Sequence, residues 1–343
     1  MIAARLYRDP DCAAWQAYVA GSAHASCYHQ IGWKRVIEDS FGATTFYLVA
    51  EDSAQNVTGV LPLALLSSLP FGRFLVSLPY FNYGGICSDD AATRESLLER
   101  AVAIARSEGA KYLELRETFP EDRLPEKTSK ASLRLELPST ADELWKSFSS
   151  DLRRKIRRPQ KDGIVARIEK AEALDEFYRV FTVNMRDLGT PVYSKSFFAN
   201  ILREFPESTR ICTVYRDAQA LASGFLVGFR DRLEIPWVSS LRAYNHLYTN
   251  MLLYWTALSF ACEQHYRVFD FGRSTIGGGT YRFKQQWGAK PFQLYWHYWL
   301  KQGRSLPELN PDNPRYAMAI RVWKRLPLRL TTLIGPAIVR NLP

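Results

Sequence analysis

The pattern of apolar and polar positions predicts strands and helices in an order that occurs twice. Alternating runs predict strands, and apolar residues at helical spacing predict two long helices, over 91–108 and 250–265. The predicted strands are 45–50, 57–66, 74–78 and 111–116 in the first series, and 209–215, 221–229, 232–240 and 268–271 in the second. Each series has the order hairpin, strand, loop, long helix, strand. This repeated order indicates a duplication within the chain. The alternative is that common structural elements follow the same order by coincidence, and we favour duplication.

A duplication predicts two α/β domains of one kind. Gly59 and Gly224 lie in corresponding hairpins, and the strand 112–115 corresponds to 268–271. Within one such domain, a bulged strand next to a parallel neighbour leaves a V-shaped gap in which backbone amides can pair with a ligand. We predict a first domain over 1–138, a second domain with the active groove over 139–303, and a basic amphipathic tail over 304–343.

The stretch 269–287 combines a short strand, a glycine-rich turn and the start of a helix. Asp270 lies on the strand, and a glycine turn at 277–279 precedes the sequence Tyr-Arg-Phe-Lys at 281–284. Unpaired backbone N–H groups at such a turn, together with cations such as Arg273, suit an anionic substrate. No Gly-Lys-Ser/Thr follows the glycines, so this is not a Walker A loop. The other interpretation is a basic tight turn, and the residues alone do not decide between the two.

Composition narrows the class of protein. The chain has 343 residues, 47% apolar and 23% charged, which is typical of a globular rather than a disordered protein. Five separated cysteines and five histidines show no metal-ligand spacing, so we expect no metal. We see neither a signal peptide nor an apolar run of about 18 residues, and we expect a cytoplasmic protein. The net charge of +10 favours an acidic partner such as nucleic acid, anionic lipid or a phosphorylated substrate.

Three motifs resemble the FemAB/FemX family: Phe-Asp-Phe-Gly-Arg at 269–273, Gly-Thr-Tyr-Arg-Phe-Lys-x-x-Trp-Gly-Ala at 279–289, and Pro-Tyr-x-x-Tyr-Gly-Gly at 79–85. The chain is most similar to the FemAB-related proteins that accompany exosortase (PEP-CTERM) and exopolysaccharide systems, and the resemblance extends to about Leu300. It implies an α/β (α+β) fold of two tandem acetyltransferase-like (GNAT) domains, each a mixed, mostly antiparallel sheet flanked by helices. In that family an aminoacyl-tRNA gives its amino acid to an amine of a peptidoglycan precursor.

The resemblance also implies roles for individual residues. The family lysine, here Lys284, contacts a substrate phosphate and stabilises the tetrahedral intermediate. Asp270 either accepts the proton of the acceptor amine or pairs with Arg273 to fix the turn, and we favour the pairing. The residues for which we predict substrate contacts are Arg273, Tyr281, Arg282, Phe283, Gly278, Gly279 and Tyr83.

Two departures from the family pattern concern substrate binding. The family often has a lysine four residues after the tryptophan that is Trp33 here, and that position is Ile37. A position that is often acidic is Arg116, followed by Glu117. These departures leave open an acceptor other than a peptidoglycan precursor.

We therefore expect an acyltransferase that forms an amide on an amine of a cell-envelope or exopolysaccharide precursor. The donor is aminoacyl-tRNA by family resemblance, or acyl-coenzyme A by analogy of fold. The usual coenzyme A loop, Arg/Gln-x-x-Gly-x-Gly/Ala, is not evident, which favours the first donor. No cofactor is expected to stay bound. The alternatives are an acyl-coenzyme A-dependent N-acyltransferase acting on an exopolysaccharide sugar, and a non-catalytic module that binds a glycan or a lipid carrier.

Two basic segments each have two interpretations. Residues 153–161 contain six cations, a pattern that is more often a solvated helix face than a binding surface. The tail beyond Asp312 has no acidic residue and interleaves six cations with apolar residues. Over 314–343 it is either a peripheral contact with the inner face of the plasma membrane or a helix packed on the second domain, and the residues support both equally. We expect a monomer.

Overall fold

The computed structural model describes residues 2–68, 72–307 and 314–341, which form two compact units. Unit 1 comprises Met1–Lys130, Gln293–Glu308 and Arg340–Pro343, and unit 2 comprises Ala131–Phe292 and Leu309–Val339. These units differ from the predicted domain ranges in three ways. Residues 131–138, predicted in the first domain, lie in unit 2. A strand late in the chain lies in unit 1, and most of the predicted separate tail lies in unit 2.

The strands and helices follow one another as the repeated pattern predicts. The strands are β1 (Ala3–Leu6), β2 (Thr44–Thr45), β3 (Leu48–Glu51), β4 (Val57–Leu61), β5 (Ala64–Ser68), β6 (Gly72–Val76), β7 (Cys87–Ser88), β8 (Tyr112–Glu117), β9 (Glu126–Lys127), β10 (Lys130–Glu136), β11 (Val165–Glu169), β12 (Thr209–Arg216), β13 (Gln219–Phe229), β14 (Arg232–Ser240), β15 (Val268–Thr275), β16 (Lys290–Gln293) and β17 (Tyr295–Leu300). The α-helices are α1 (Cys12–Gly21), α2 (Gly32–Phe41), α3 (Ala91–Ser107), α4 (Ala141–Ser147), α5 (Ser150–Lys161), α6 (Leu174–Leu188), α7 (Lys195–Glu204), α8 (Thr249–Glu263), α9 (Gly279–Gln285), α10 (Pro314–Trp323) and α11 (Leu328–Val339).

Unit 1 contains two sheets among its described residues. Their strand orders are β1-β3-β4-β7 and β2-β5-β6-β8-β17-β9. Strands β6 and β8 run parallel, with Leu75 opposite Leu113 and Val76 opposite Glu114. Helix α3 packs on β1, β3 and β4. Its buried residues Leu97 and Ala101 join the main apolar core of this unit.

Unit 2 is built on one sheet with the order β11-β12-β13-β14-β15-β10-β16 among the described strands. Strands β14 and β15 are its parallel pair, matching the parallel pair of unit 1. A side chain at Gly224 would meet Leu253 of α8, whereas the ring of the next residue, Phe225, contacts Phe177 of α6. Because neighbouring residues of a strand point to opposite faces, the sheet lies between α8 and α6.

The two units use a glycine in the same way. A Cβ atom on Gly59 would lie 2.6 Å from the Thr93 side chain of α3, and one on Gly224 would lie 2.8 Å from Ile235 and 3.3 Å from Leu253 of α8. Each glycine therefore lets the long helix of its unit lie close to the second strand of its hairpin. The predicted fold, two acetyltransferase-like α/β units with mixed sheets and flanking helices, is confirmed.

Two predicted strands differ from the structure. The run 57–66 is not one strand, because it divides at Pro62 into β4 and β5, which lie in different sheets. Proline has no N–H to donate to a sheet ladder. The last strand, β17, does form, but it pairs antiparallel with β8 of unit 1, with Tyr298 opposite Glu114. Sequence proximity to unit 2 had placed it in the second domain.

The C-terminal helices pack on unit 2. Helix α11 contacts α6, and its Gly335 approaches the backbone of Val192 so closely that a Cβ atom would lie 2.9 Å from that amide nitrogen. Among the described helices, none combines the length and the hydropathy that a membrane crossing requires. The five cysteines are free thiols, and the described residues include no cluster of three side chains placed to hold a metal ion.

Candidate functional site

The parallel strands of unit 2 pair over a short length and then separate. Arg232, Leu233 and Glu234 of β14 pair with 268–270 of β15, and beyond this point β14 continues to Ser240 and β15 to Thr275. Strand β14 keeps its pairing with β13 as far as Ser240, with a bulge near Pro236. The two strands therefore leave a V-shaped opening in the sheet, the arrangement expected where a bulged strand lies next to a parallel neighbour.

Asp270 lies at the point where the strands separate, and its side chain is completely buried. The carboxylate accepts hydrogen bonds from the hydroxyl of Ser132, from Nε of Arg134 at 3.0 Å and from the backbone N–H of Gly272 at 2.9 Å. The Arg134 guanidinium also lies 3.4 Å from the ring centroid of Phe292. The ion pair with Arg134 of β10 provides the structural role that we favoured, with a partner that we did not predict.

Lys284 reaches back from helix α9 to the end of β15. Its ammonium donates to the carbonyl oxygen of Gly272 at 2.9 Å and to that of Arg273 at 3.2 Å, and the residue is 7% exposed. Burial lowers the pKa of this amine to about 8, while the nearby carboxylates of Asp270 and Glu234 oppose the shift. The cation is therefore held by backbone carbonyls rather than enclosed in a direct ion pair, and an ammonium has three N–H donors.

Some backbone groups of the glycine turn, which the sequence predicts to be unpaired, have hydrogen-bond partners within the protein. The N–H of Gly278 donates to the carbonyl of Thr275 at 3.0 Å, and the Arg282 guanidinium donates to the carbonyl of Gly277 at 2.6 Å. Helix α9 has seven residues. Arg273 and Arg282 are exposed beside this turn, and such cations can pair with an anionic substrate.

The predicted aromatic contacts lie in different surroundings. Phe283 is partly buried, and its ring centroid lies 5.3 Å from that of Tyr254. Tyr281 is also half-buried against the apolar core of unit 2, and Gly279 begins α9. Tyr83 is buried in unit 1, where its ring packs edge-on against Tyr28. Substrate contacts by these residues stay predictions.

Three residues of this region were missed by sequence reasoning. Ser132 and Arg134 share one face of β10, and the alternation of that strand signalled a polar face without showing what it would meet. Glu234 lies opposite Asp270 in the parallel register and is 1% exposed. A buried acidic residue in an apolar strand was the signal that could have identified it.

Unit 1 has a counterpart of this region, and its own side chains fill it. Glu114 of β8 corresponds to Asp270, and it accepts from Tyr298 of β17 at 2.9 Å and from Arg116 at 2.7 Å. Arg116, 2% exposed, also donates to the carbonyl of Phe81. Its carbonyl oxygen accepts from the N–H groups of Gly84 and Gly85. The loop that resembles the family motif therefore closes over β8.

Beside this loop, Glu117 is also buried. One of its oxygens accepts from the N–H of Ile86 at 2.9 Å, and burial raises the pKa of the carboxyl. Arg116, which departs from the family pattern, and the adjacent Glu117 thus both have internal partners.

An open cavity of about 700 Å³ lies elsewhere in unit 2, lined by Arg179, residues 216–219 and Tyr244. It contains none of the predicted site residues. We therefore place the candidate site at the divergence of β14 and β15.

The chain is similar to known acyltransferases. Residues 146–285 match the family model described as an acetyltransferase (GNAT) domain. No curated protein sequence matches the chain significantly. Among solved structures, the crystal structure of FemX aligns with a TM-score of 0.64 at 15% identity, covering 85% of this chain and 96% of FemX.

Two further structures align over most of the chain. The C-terminal domain of a putative lysylphosphatidylglycerol synthetase from Agrobacterium fabrum has a TM-score of 0.56 at 13% identity, covering 86% of this chain and 92% of that domain. A tandem GNAT protein from the clavulanic acid biosynthesis pathway has a TM-score of 0.55 at 12% identity, covering 90% of this chain and 99% of its own. Residues 146–285, which lie in unit 2, thus match a GNAT acetyltransferase domain, and the chain as a whole shares its fold with FemX and with the tandem GNAT protein; together these findings support an acyltransferase.

Proposed function

We propose that the protein transfers an aminoacyl group to an amine of a cell-envelope or exopolysaccharide precursor, at the opening between β14 and β15. The observation that carries this proposal is the divergence of the two strands directly after Glu234 and Asp270. Strands that separate while each remains in the sheet expose backbone groups to a ligand. The buried hydroxyl of Ser274, near the end of β15, has no hydrogen-bond partner among the described residues, and a substrate could supply one.

The chemistry requires charge stabilisation and positioning. The acceptor amine attacks the ester carbonyl of the donor, the carbonyl oxygen becomes negative, and collapse of the intermediate forms the amide and expels the alcohol of the donor. An N–H donor held at that oxygen lowers the barrier. Two N–H groups of the Lys284 ammonium donate to the carbonyls of Gly272 and Arg273. The third N–H group can donate to the oxyanion or to a phosphate oxygen.

The acceptor amine must also lose a proton. Asp270 accepts three hydrogen bonds, from Ser132, Arg134 and the N–H of Gly272, so its carboxylate is already held by partners within the protein. We therefore propose Asp270 as a positioning residue that fixes Gly272. The proton of the attacking amine passes to the departing oxygen, so no separate base is needed.

Helix α5 favours RNA as the carrier of the donor. Its apolar residues Leu152, Ile156 and Pro159 are all buried, whereas the side chains of Arg154 and Arg158 are 66% and 62% exposed. The outer face is thus polar and basic, which suits a phosphate backbone. Helix α5 packs against α8, the helix that follows β14.

A donor assay with purified protein tests the proposal. We expect transfer from an aminoacyl-tRNA to an amine acceptor and no transfer from an acyl-coenzyme A. Transfer from acyl-coenzyme A alone would instead support the alternative, an N-acyltransferase acting on an exopolysaccharide sugar. Absence of transfer from both donors to any cell-envelope amine would contradict the proposed reaction.

The α5 contact has its own test. A plot of log affinity for tRNA against log salt concentration has a negative slope. Replacing Arg154 and Arg158 with Gln should make this slope less steep by about 2, because each phosphate contact contributes about 1 to its magnitude. The matched control is Lys170→Gln with Arg203→Gln, which removes two exposed cations elsewhere in unit 2. Equal slopes for both double variants would exclude α5 as the RNA contact.

A further inference from the structure

The outer surface of helices α10 and α11 displays apolar side chains. Met318 and Val322, one helical turn apart on α10, are 62% and 52% exposed. Leu330 and Leu333 on α11 are 39% and 76% exposed. Leu188, 47% exposed, ends helix α6. Of the eight large apolar side chains that are exposed in the described chain, these are five. Exposed apolar surface is thus concentrated on one part of unit 2, which marks an interaction site.

The inward face of these helices is fixed by close contacts. A Cβ atom on Gly189 would lie 2.5 Å from Ile320 of α10, and one on Gly335 would lie 2.8 Å from the Val192 side chain. Thr331, Gly335 and Val339 are buried on the inner side of α11. The exposed residues therefore point outward because the other face of each helix is occupied. The tail helices therefore pack on unit 2 and keep an amphipathic outer face.

Cations accompany the apolar residues. Arg321, Lys324, Arg325 and Arg329 are exposed in the same segment, and the sequence beyond Asp312 has no acidic residue. An anionic lipid surface complements both properties, because acyl chains accept the apolar side chains while headgroups pair with the cations. A phosphate backbone would use only the cations. A second copy of the chain would bring like charges together.

We propose that α10 and α11 dock unit 2 on an anionic membrane, with Met318, Val322, Leu330 and Leu333 entering the interface. The docking goes beyond the proposed transfer reaction and does not depend on it. Helix α11 lies on α6, and α6 lies on β13 and β14. Helices α11 and α6 therefore lie between the docked surface and the strand that borders the proposed opening.

Co-sedimentation of the full chain with vesicles tests the docking. We expect binding to vesicles of equal parts phosphatidylglycerol and phosphatidylcholine, and little binding to phosphatidylcholine alone. Leu330→Ser with Leu333→Ser should lower the partition coefficient at least tenfold, since exposed side chains can be replaced without disturbing the core. Arg321→Gln, Arg325→Gln and Arg329→Gln together should lower it by about fivefold per cation removed, at low salt.

The matched control is Arg100→Gln, Lys301→Gln and Arg304→Gln, which removes three exposed cations from unit 1. This control should keep most of the vesicle binding. Equal losses in the two triple variants would overturn the proposal, because binding would then follow net charge alone. Wild-type binding by the leucine variant would also overturn it, as would a dimer in solution that this variant dissociates. Vesicle binding is measured without donor or acceptor, so its failure leaves the transfer reaction untouched.

Discussion

Units 1 and 2 repeat one arrangement, and they differ at the place where a ligand could enter. In both, a parallel pair ends at a buried carboxylate, Glu114 in unit 1 and Asp270 in unit 2, which receives hydrogen bonds from the next strand of the sheet. Two positions later, unit 1 has Arg116 and unit 2 has Gly272. The Arg116 guanidinium donates to a backbone carbonyl in the loop of its own unit. Gly272 has no side chain, and its backbone carbonyl accepts a hydrogen bond from Lys284.

The two units differ in how the chain continues beyond the parallel pair. In unit 1, strand β6 ends at Val76, and the following loop returns to bond with β8. In unit 2, β14 stays in the sheet to Ser240 and diverges from β15. In unit 1, a side chain and its loop therefore occupy the place that is open in unit 2. This comparison is our reason for placing transfer in unit 2.

The largest expected effect is on the stability of unit 1. Arg116→Met leaves Glu114 buried without its guanidinium, which should lower the free energy of unfolding by about 3–5 kcal/mol. Urea unfolding measures this loss. If unit 1 is structural at this point, turnover per folded molecule should stay close to wild type.

The double variant Arg116→Met with Glu114→Gln serves as the control. It removes both charges, so it should recover part of the lost stability. A large fall in the turnover of folded Arg116→Met protein would instead show that unit 1 participates in the reaction, and the contrast between the units would fail.

The next effect concerns Lys284. Lys284→Ala should lower kcat by about 100-fold or more, equivalent to about 3 kcal/mol, because the oxyanion loses its donor. Lys290→Ala, at an exposed lysine of β16, is the matched control and should keep wild-type turnover. Unchanged kcat in the Lys284 variant would remove the role that we propose for this lysine.

A pH profile gives the third test. The pKa of Lys284 is lowered to about 8, so its cation is present below that pH and is lost as the pH rises through it. If the cation is required, kcat should fall by up to tenfold for each pH unit above about 8. In Lys284→Arg, any remaining activity should not show this fall, because a guanidinium stays protonated. Parallel profiles for lysine and arginine would exclude the cation as the titrating group.

The smallest expected effect is a loss of stability when Gly272, but not Gly279, is replaced with Ala. Its φ is +73°, so Gly272→Ala should cost about 1 kcal/mol of stability and misplace the carbonyl that Lys284 holds. Gly279→Ala is the control, because its Cβ would meet no atom within 4 Å and its φ is not in the left-handed region. Thermal unfolding compares the two variants. A Gly272 variant as stable as the control would show that this bend is not strained.

Much of this architecture could be predicted from the sequence. Local periodicity placed the two long helices within a few residues of α3 and α8, because an apolar stripe must face a core wherever the helix lies. The Phe-Lys and glycine motifs located the stretch around Lys284, and the repeated order of elements predicted two similar units. These features depend on neighbours in the chain, which the sequence gives directly.

Only the tertiary structure decided which partners each side chain has. Strand β17 follows unit 2 in the chain but pairs in unit 1, and Asp270 pairs with Arg134, which lies more than a hundred positions earlier in the sequence. The burial of Lys284 under two carbonyls, and the exposure of Leu333 beside a packed inner face, likewise depend on long-range packing. A periodic pattern records that a residue prefers a core or a surface, but sheet order and side-chain partners are selected by the free energy of the whole fold.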